Sequence, residues 1–208
     1  YYAHHMSTIE GGMVSTNNET LYQYLRMFRS HGMVRESTDN QLKESYASNN
    51  NQLNPDFIFA FHAYNVRNTE LGAVLGRSQL KRLDSNIKVR TKNLKIFVNN
   101  LDSTKYRTDF KLVGSSNYAF NFVLREPDFN LRDRVEKILS KAEIEYRRGS
   151  AGGGNQLRQP YLSEYIDFEE WKEYPQVEHI HHFCWYVGNY PSLEEKKIYD
   201  LCDLLNSV

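Results

Sequence analysis

Tyr1-Tyr2-Ala3-His4-His5-Met6-Ser7-Thr8-Ile9-Glu10-Gly11-Gly12-Met13-Val14-Ser15-Thr16-Asn17 opens the chain. Two imidazoles stand directly before an extended–Gly-Gly–extended pattern. Glycine readily takes the positive φ that a tight turn needs, so the stretch reads as two short strands, residues 1–6 and 13–16, joined through Glu10-Gly11-Gly12. Adjacent residues of a strand point to opposite faces, so only one of His4 and His5 can face a given site. An imidazole has an ordinary pKa of about 6.5 and suits proton transfer near neutrality. By itself, a histidine at a strand end is more often a satisfied structural residue than a catalytic one.

Outward from the hairpin, Asn17 or Asn18 caps a helix running to about Arg29, with Leu21, Tyr24, Leu25 and Phe28 on one apolar face. His31-Gly32 ends it with a cation and a C-terminal glycine. Residues 36–56 are rich in Ser, Asn and Gln and show no periodicity, which predicts a long loop. Residues 57–64 read as an aromatic extended segment. A long helix follows over 69–99, capped by Thr69, with Leu71, Val74, Leu75, Leu80, Leu83, Ile87, Leu94 and Val98 as its apolar stripe. Lys81, Arg82, Lys88, Arg90, Lys92 and Lys95 on that helix read as a solvated face. Beyond it the pattern predicts a small α/β unit: strands over 118–125, 143–147 and 181–187, a helix over 131–142, and a last helix opened by Pro191-Ser192, with Ser192 as its cap.

Three further stretches carry candidate chemistry. Ser30-His31-Gly32-Met33-Val34-Arg35 follows the first helix. Ala63-Tyr64-Asn65-Val66-Arg67-Asn68-Thr69-Glu70 precedes the long one. Arg147-Arg148-Gly149-Ser150-Ala151-Gly152-Gly153-Gly154-Asn155-Gln156 is a glycine-rich segment too polar for a core. His179, His181 and His182 invite a metal reading, since alternate residues of a strand share a face. No third ligand has a supporting pattern, so no metal site is expected.

Composition bounds the possibilities. The 208 residues suffice for one large domain or two modest ones. The 26 basic and 26 acidic side chains cancel, so no bulk field draws the chain to nucleic acid or to a membrane. No apolar run approaches the roughly 18 residues that would span a bilayer. Cys184 and Cys202 are the only cysteines, which argues against a disulfide framework and suits a reducing cytoplasm. The first residue is not methionine, and a buried-type strand starts without lead-in, so the chain is expected to be the C-terminal portion of a larger protein and inactive alone.

The hairpin, with the two stretches at 30–35 and 63–70, resembles the DegT/StrS-type sugar aminotransferase family, whose members use pyridoxal phosphate. In that family a lysine six residues before the Glu of Glu-Gly-Gly holds the cofactor covalently; here His4 stands in that place. The resemblance implies an α/β fold of the type I pyridoxal-phosphate aminotransferase kind, present in part: residues 1–100 as the end of the large cofactor-binding domain with the long linking helix, and residues 101–208 as the small C-terminal domain. Members with histidine for lysine are sugar 3-dehydratases. The implied reaction is loss of the C3 hydroxyl from GDP-4-keto-6-deoxymannose, as in colitose and O-antigen synthesis. L-Glutamate converts pyridoxal to pyridoxamine phosphate, His4 takes a proton at C4′, and ammonia and a dideoxy ketosugar leave.

Carried over residue by residue, Asn65 would reach the cofactor phosphate of a partner subunit in a homodimer. His31, Arg35, Arg148, Gly153 and Asn155 would contact the sugar nucleotide. Rival readings are a CDP-4-keto-6-deoxyglucose 3-dehydrase, an ordinary sugar aminotransferase, and a non-enzymatic half-domain. The CDP-sugar branch carries an iron–sulfur cluster, yet no cysteine lies between His31 and Tyr64. The aminotransferase needs a lysine, and none lies between Tyr1 and Leu42.

Overall fold

A computed structural model describes residues 5–149, 153–167 and 169–208. His4 and the tip of the glycine-rich segment lie outside the described residues. The described residues form two compact units, one of residues 8–78 and one of residues 5–7 with 79–208.

In the first unit, helix α1 (Glu19–Phe28) starts as expected: Asn18 accepts from the Leu21 N–H at 2.9 Å, satisfying a donor that the helix itself cannot. Its buried face differs from the expected one. Gln23 and Met27 point inward, while Leu21, Tyr24 and Phe28 are about half exposed. Gln23 is held by hydrogen bonds from the Ser37 hydroxyl (2.8 Å) and the Thr38 N–H (2.9 Å), a polar anchor that apolar periodicity does not reveal.

The predicted loop over 36–56 is corrected: residues Asn40–Asn49 form helix α2, capped by Asp39, which accepts from Gln41 N and Leu42 N. Leu42, Tyr46 and Ala47, at helical spacing, pack on a small core of Met27, Val34 and Ile58. The strand predicted over 13–16 is not formed. Met13 and Val14 are exposed, and no described strand lies beside them to take up their backbone groups.

Helix α3 (Glu70–Asn100) begins in the first unit and continues in the second. Its expected stripe is buried only at the C-terminal end, at Leu94 and Val98 with Phe97. Leu71, Val74 and Leu80 remain exposed, because none of the described residues covers them. Arg90, expected on a solvated face, is instead 4% exposed, its Nε donating to the Asn189 carbonyl.

The second unit places α3 and two shorter helices, α4 (Phe129–Lys141) and α6 (Glu195–Asn206), with a three-stranded antiparallel sheet. Strand β1 (Ala119–Val123) pairs with β3 (Cys184–Gly188), which also pairs with the two-residue β2 (Arg147–Arg148), giving the order β1-β3-β2. Phe120, Phe122 and Leu124 alternate into one core with Phe97, Trp185, Ile198 and Leu205. Phe97 stacks on Phe120 (4.6 Å between centroids) and Phe122 on Trp185 (5.4 Å).

Three boundaries differ from expectation. β2 starts late because residues 143–144 finish α4: Glu143 takes φ 56°, and the Ile144 N–H returns to the Leu139 carbonyl. β3 also starts late, because helix α5 (Pro175–Phe183) occupies residues 181–183. α6 starts at Glu195, and Ser192 makes no cap to it. Among the described residues, no helix is long and apolar enough to cross a membrane.

Candidate active site

The first unit brings two of the sequence motifs side by side. His31 takes φ 60° and Gly32 φ 76°, turning the chain sharply off α1, and the Gly32 N–H closes on the Met27 carbonyl at 2.9 Å. Only glycine fits at 32, since a Cβ there would overlap the Phe61 carbonyl oxygen. The segment after α1 then pairs with the stretch before α3. The His31 N–H donates to the Tyr64 carbonyl (2.6 Å), Tyr64 N–H to the Phe28 carbonyl (3.1 Å) and Val66 N–H to the Arg29 carbonyl (2.9 Å), with Ser30 opposite Asn65. His31 and Asn65, 34 positions apart in sequence by numbering, thus belong to one laced edge.

Both side chains are exposed there. The Asn65 Oδ1 accepts from Arg67 Nε at 3.3 Å, which leaves the Asn65 amide hydrogens and the remaining Arg67 N–H groups as donors. A neutral amide beside a guanidinium is a donor set that suits a phosphate, so these residues fit a phosphorylated cofactor. Arg35 is also exposed. Its guanidinium lies over the Phe57 ring at 5.0 Å, and Glu36 is 3.9 Å away, so its charge is not consumed by a buried partner.

Of the two imidazoles before Glu10-Gly11-Gly12, His5 is committed. Its Nε2 meets the Ser116 carbonyl and, at 3.1 Å, the Ser116 hydroxyl. His4 lies outside the described residues.

The second unit holds Arg148, Gly153 and Asn155. Arg148 ends β2, and its Nη1 meets Glu136 Oε1 at 3.1 Å; the same oxygen accepts the Trp185 indole N–H at 3.0 Å. Gly153 is exposed with φ 78°. Asn155, expected to touch substrate, is 1% exposed and spends its side chain internally. Its Oδ1 caps the short turn Gln156–Arg158 by accepting from Leu157 N, and its Nδ2 donates to Glu178 at 2.8 Å. Any contribution it makes to a ligand passes through the backbone it holds.

Glu178, His181, Arg158 and Trp171 escaped the sequence reading. Glu178 takes a bidentate pair from Arg158, which lies 3.6 Å from the Trp171 ring centroid. The Arg158 hydrogen bonds hold the Glu178 carboxyl below its ordinary value, and burial followed by His182 lowers His181. The signal that could have found them is Pro175 followed by Glu178, a helix start. With α5 helical through 183, the strand alternation behind a His179–His181 ligand pair does not exist. His179 meets the Leu124 carbonyl and His181 the Asn155 N–H instead. Cys184 and Cys202 are buried, and burial pushes their thiols up to about 11 and about 12.

Comparison with known proteins sets this geometry in context. The profile of the DegT/DnrJ/EryC1/StrS aminotransferase family matches residues 1–206. The GDP-4-keto-6-deoxy-D-mannose 3-dehydratase of Escherichia coli O55:H7 (strain CB9615 / EPEC) is 28% identical over 209 aligned residues, covering 100% of this chain and 52% of its own length. The Yersinia pseudotuberculosis protein of the same name is 31% identical, covering 99% and 52%. A crystal structure of GDP-4-keto-6-deoxymannose-3-dehydratase with a trapped PLP-glutamate geminal diamine superposes with a TM-score of 0.76 at 28% identity, over 99% of this chain and 53% of that one. The chain spans about half the length of the curated relatives it matches. The fold is therefore part of the aminotransferase-like α/β fold.

Proposed function

Because the chain belongs to the DegT/DnrJ/EryC1/StrS aminotransferase family, we propose that it is the C-terminal part of a sugar-nucleotide 3-dehydratase working with pyridoxal 5′-phosphate and its pyridoxamine form. The substrate in this reading is GDP-4-keto-6-deoxy-D-mannose, with L-glutamate as amino donor. One observation carries it: His4 stands six residues before Glu10-Gly11-Gly12, where a lysine would hold the cofactor, in a chain aligned end to end with two 3-dehydratases. The neighbouring structure with a PLP–glutamate adduct supports the cofactor and the donor.

When bound, the cofactor supplies an amine for the sugar ketone and a conjugated ring that accepts electrons. The residues of this chain do the rest. His4 takes a proton at C4′ as general base. Lacking a primary amine, it leaves the cofactor untethered. The commitment of His5 to Ser116 supports the assignment of that role to His4. Asn65 and Arg67 donate to the phosphate, which in this reading belongs to the partner subunit of a homodimer. His31 and Arg35 bind the sugar nucleotide, the planar fork of Arg35 suiting a diphosphate. Arg148 and Gly153 are assigned to the same ligand, with Asn155 fixing the backbone beside them.

The same proposal takes residues 1–100 as the end of the large domain and 101–208 as the small one. It places the enzyme in the cytoplasm, where two free, buried cysteines are at ease. Those thiols sit in the core of the second unit, which speaks against the cluster-bearing CDP-sugar branch.

The test is to give the full-length polypeptide PLP, L-glutamate and GDP-4-keto-6-deoxymannose. 2-Oxoglutarate, ammonia and a 3,6-dideoxy ketosugar are expected. A 4-amino sugar would make it an aminotransferase, and no conversion would refute both.

A further inference from the structure

The glycine-rich segment is gripped at its neck by one face of α5. The Gly149 N–H donates to the Cys184 carbonyl at 2.7 Å, tying one end to β3. A Cβ on Gly149 would stand 2.8 Å from the backbone nitrogen of Gly154, so the two ends are in contact. At the other end the Asn155 N–H donates to His181 Nδ1 at 3.0 Å, and the Asn155 amide donates to Glu178 Oε1 at 2.8 Å. Arg158 closes on Glu178 through Nε (2.9 Å) and Nη2 (2.6 Å). One turn of helix thus takes up the segment's backbone, its buried amide and its guanidinium.

A partly exposed ion pair adds little stability. What such a set of directed bonds fixes is conformation, because the Asn155 N–H, the Asn155 amide and the Arg158 fork are each held to an acceptor on the same helix face. Arg148 and Gly153, the residues assigned to sugar-nucleotide binding, flank this neck on either side.

We infer that Glu178 and His181 are positioning residues for sugar-nucleotide binding, holding residues 154–158 in the single conformation from which the flanking residues meet the ligand. This rests on the assignment of Arg148 and Gly153 to that ligand. The neck is arranged before the sugar nucleotide arrives, so the cost of ordering it is not charged to binding. The glutamate half-reaction, which involves no sugar nucleotide, does not depend on it.

The experiment uses the full-length holoenzyme and its His181→Ala, Glu178→Ala, His181→Asn and Glu178→Gln variants. Steady-state kinetics with GDP-4-keto-6-deoxymannose are compared with glutamate-driven spectral conversion of the cofactor. The alanine variants should raise the sugar-nucleotide KM by about tenfold, with kcat and the glutamate step within about twofold of the parent. His181→Asn keeps an acceptor for the Asn155 N–H and should recover most of the KM, as should Glu178→Gln, which keeps the acceptor for the Asn155 amide. A lower melting temperature with unchanged KM in both alanine variants would overturn the inference, leaving a merely structural role. Should an alanine variant fail to fold, the two conservative variants decide: a KM raised about two- to threefold with normal kcat supports the inference, and an unchanged KM, with or without a loss of kcat, refutes it. If the parent enzyme processes glutamate but binds no sugar nucleotide, the functional assignment has failed. Hydrogen exchange at the Gly154 and Asn155 amides then tests the grip alone, faster exchange in His181→Asn or His181→Ala supporting it and unchanged exchange refuting it.

Discussion

The ring of His181 occupies the place that a side chain on Gly154 would need. A Cβ at 154 would stand 2.9 Å from His181 Cγ and overlap Nδ1, and Gly154 already holds φ 94°, which disfavours any residue with a Cβ. Gly154→Ala must therefore displace the imidazole and accept a strained backbone. The expected cost is about 2–4 kcal/mol, the sum of left-handed strain and local overpacking. Urea denaturation followed by circular dichroism measures it; a loss below about 0.5 kcal/mol would mean the ring yields freely.

The same cluster makes stability pH-dependent in two stages. Burial, then His182, holds His181 below 6.5, against the opposing pull of Glu178. Below 6.5 the unfolded chain binds the proton that the folded state resists, so stability is full above that value and declines as pH falls beneath it. His182, also lowered by burial, adds to this stage. Glu178 is lowered by its hydrogen bonds from Arg158, so its contribution is full above 4.5 and is lost as pH drops further. His181→Asn should flatten part of the first decline and Glu178→Gln the second, read from melting temperatures between pH 8 and about 2.

Gln23 is the polar anchor of the first unit. With leucine at 23, the Ser37 hydroxyl and the Thr38 N–H lose their acceptor inside a region where Ser37 is 3% exposed. Leaving such groups unsatisfied costs about 2–3 kcal/mol in all. Gln23→Leu is therefore expected to destabilise despite adding apolar surface next to Met27. Chemical denaturation of the full-length protein checks this, and a stabilised variant would contradict it.

Much of this architecture was legible locally. Asn18 announces α1, the apolar spacing from residue 69 announces α3, and the alternation of Phe120, Phe122 and Leu124 announces β1; each signal lies within a few residues of the element it predicts. Helix α2 was hidden because only Leu42, Tyr46 and Ala47 among its ten residues pack inward, and the Asp39 cap was masked by surrounding Ser and Asn. Helix α5 was hidden because its end, Ile180 to Phe183, runs without a break into the aromatic strand residues Trp185 and Tyr186. The stretches that carry the family resemblance were readable because the motif over residues 4–12 and the Asn65 motif are each contiguous in sequence. The grip on the glycine-rich segment was not, because Asn155 and Glu178 meet only after the chain has folded over 23 positions.

Trp185 offers a fourth prediction. Its indole N–H donates to Glu136, which also takes Arg148. Trp185→Phe keeps a ring against Phe122 but removes that donor and part of the core volume. A loss of about 2 kcal/mol is expected from the missing hydrogen bond and the residual cavity. Equilibrium unfolding followed by circular dichroism reads it, and an unchanged midpoint would show that Glu136 needs no partner there.

The central claim is that an imidazole at residue 4 replaces the amine that tethers the cofactor. Borohydride reduction of the PLP-loaded full-length protein, followed by denaturation and peptide mass spectrometry, tests it most directly. The cofactor should be released with no lysine modified. A phosphopyridoxyl group fixed to a lysine of the protein would contradict the claim.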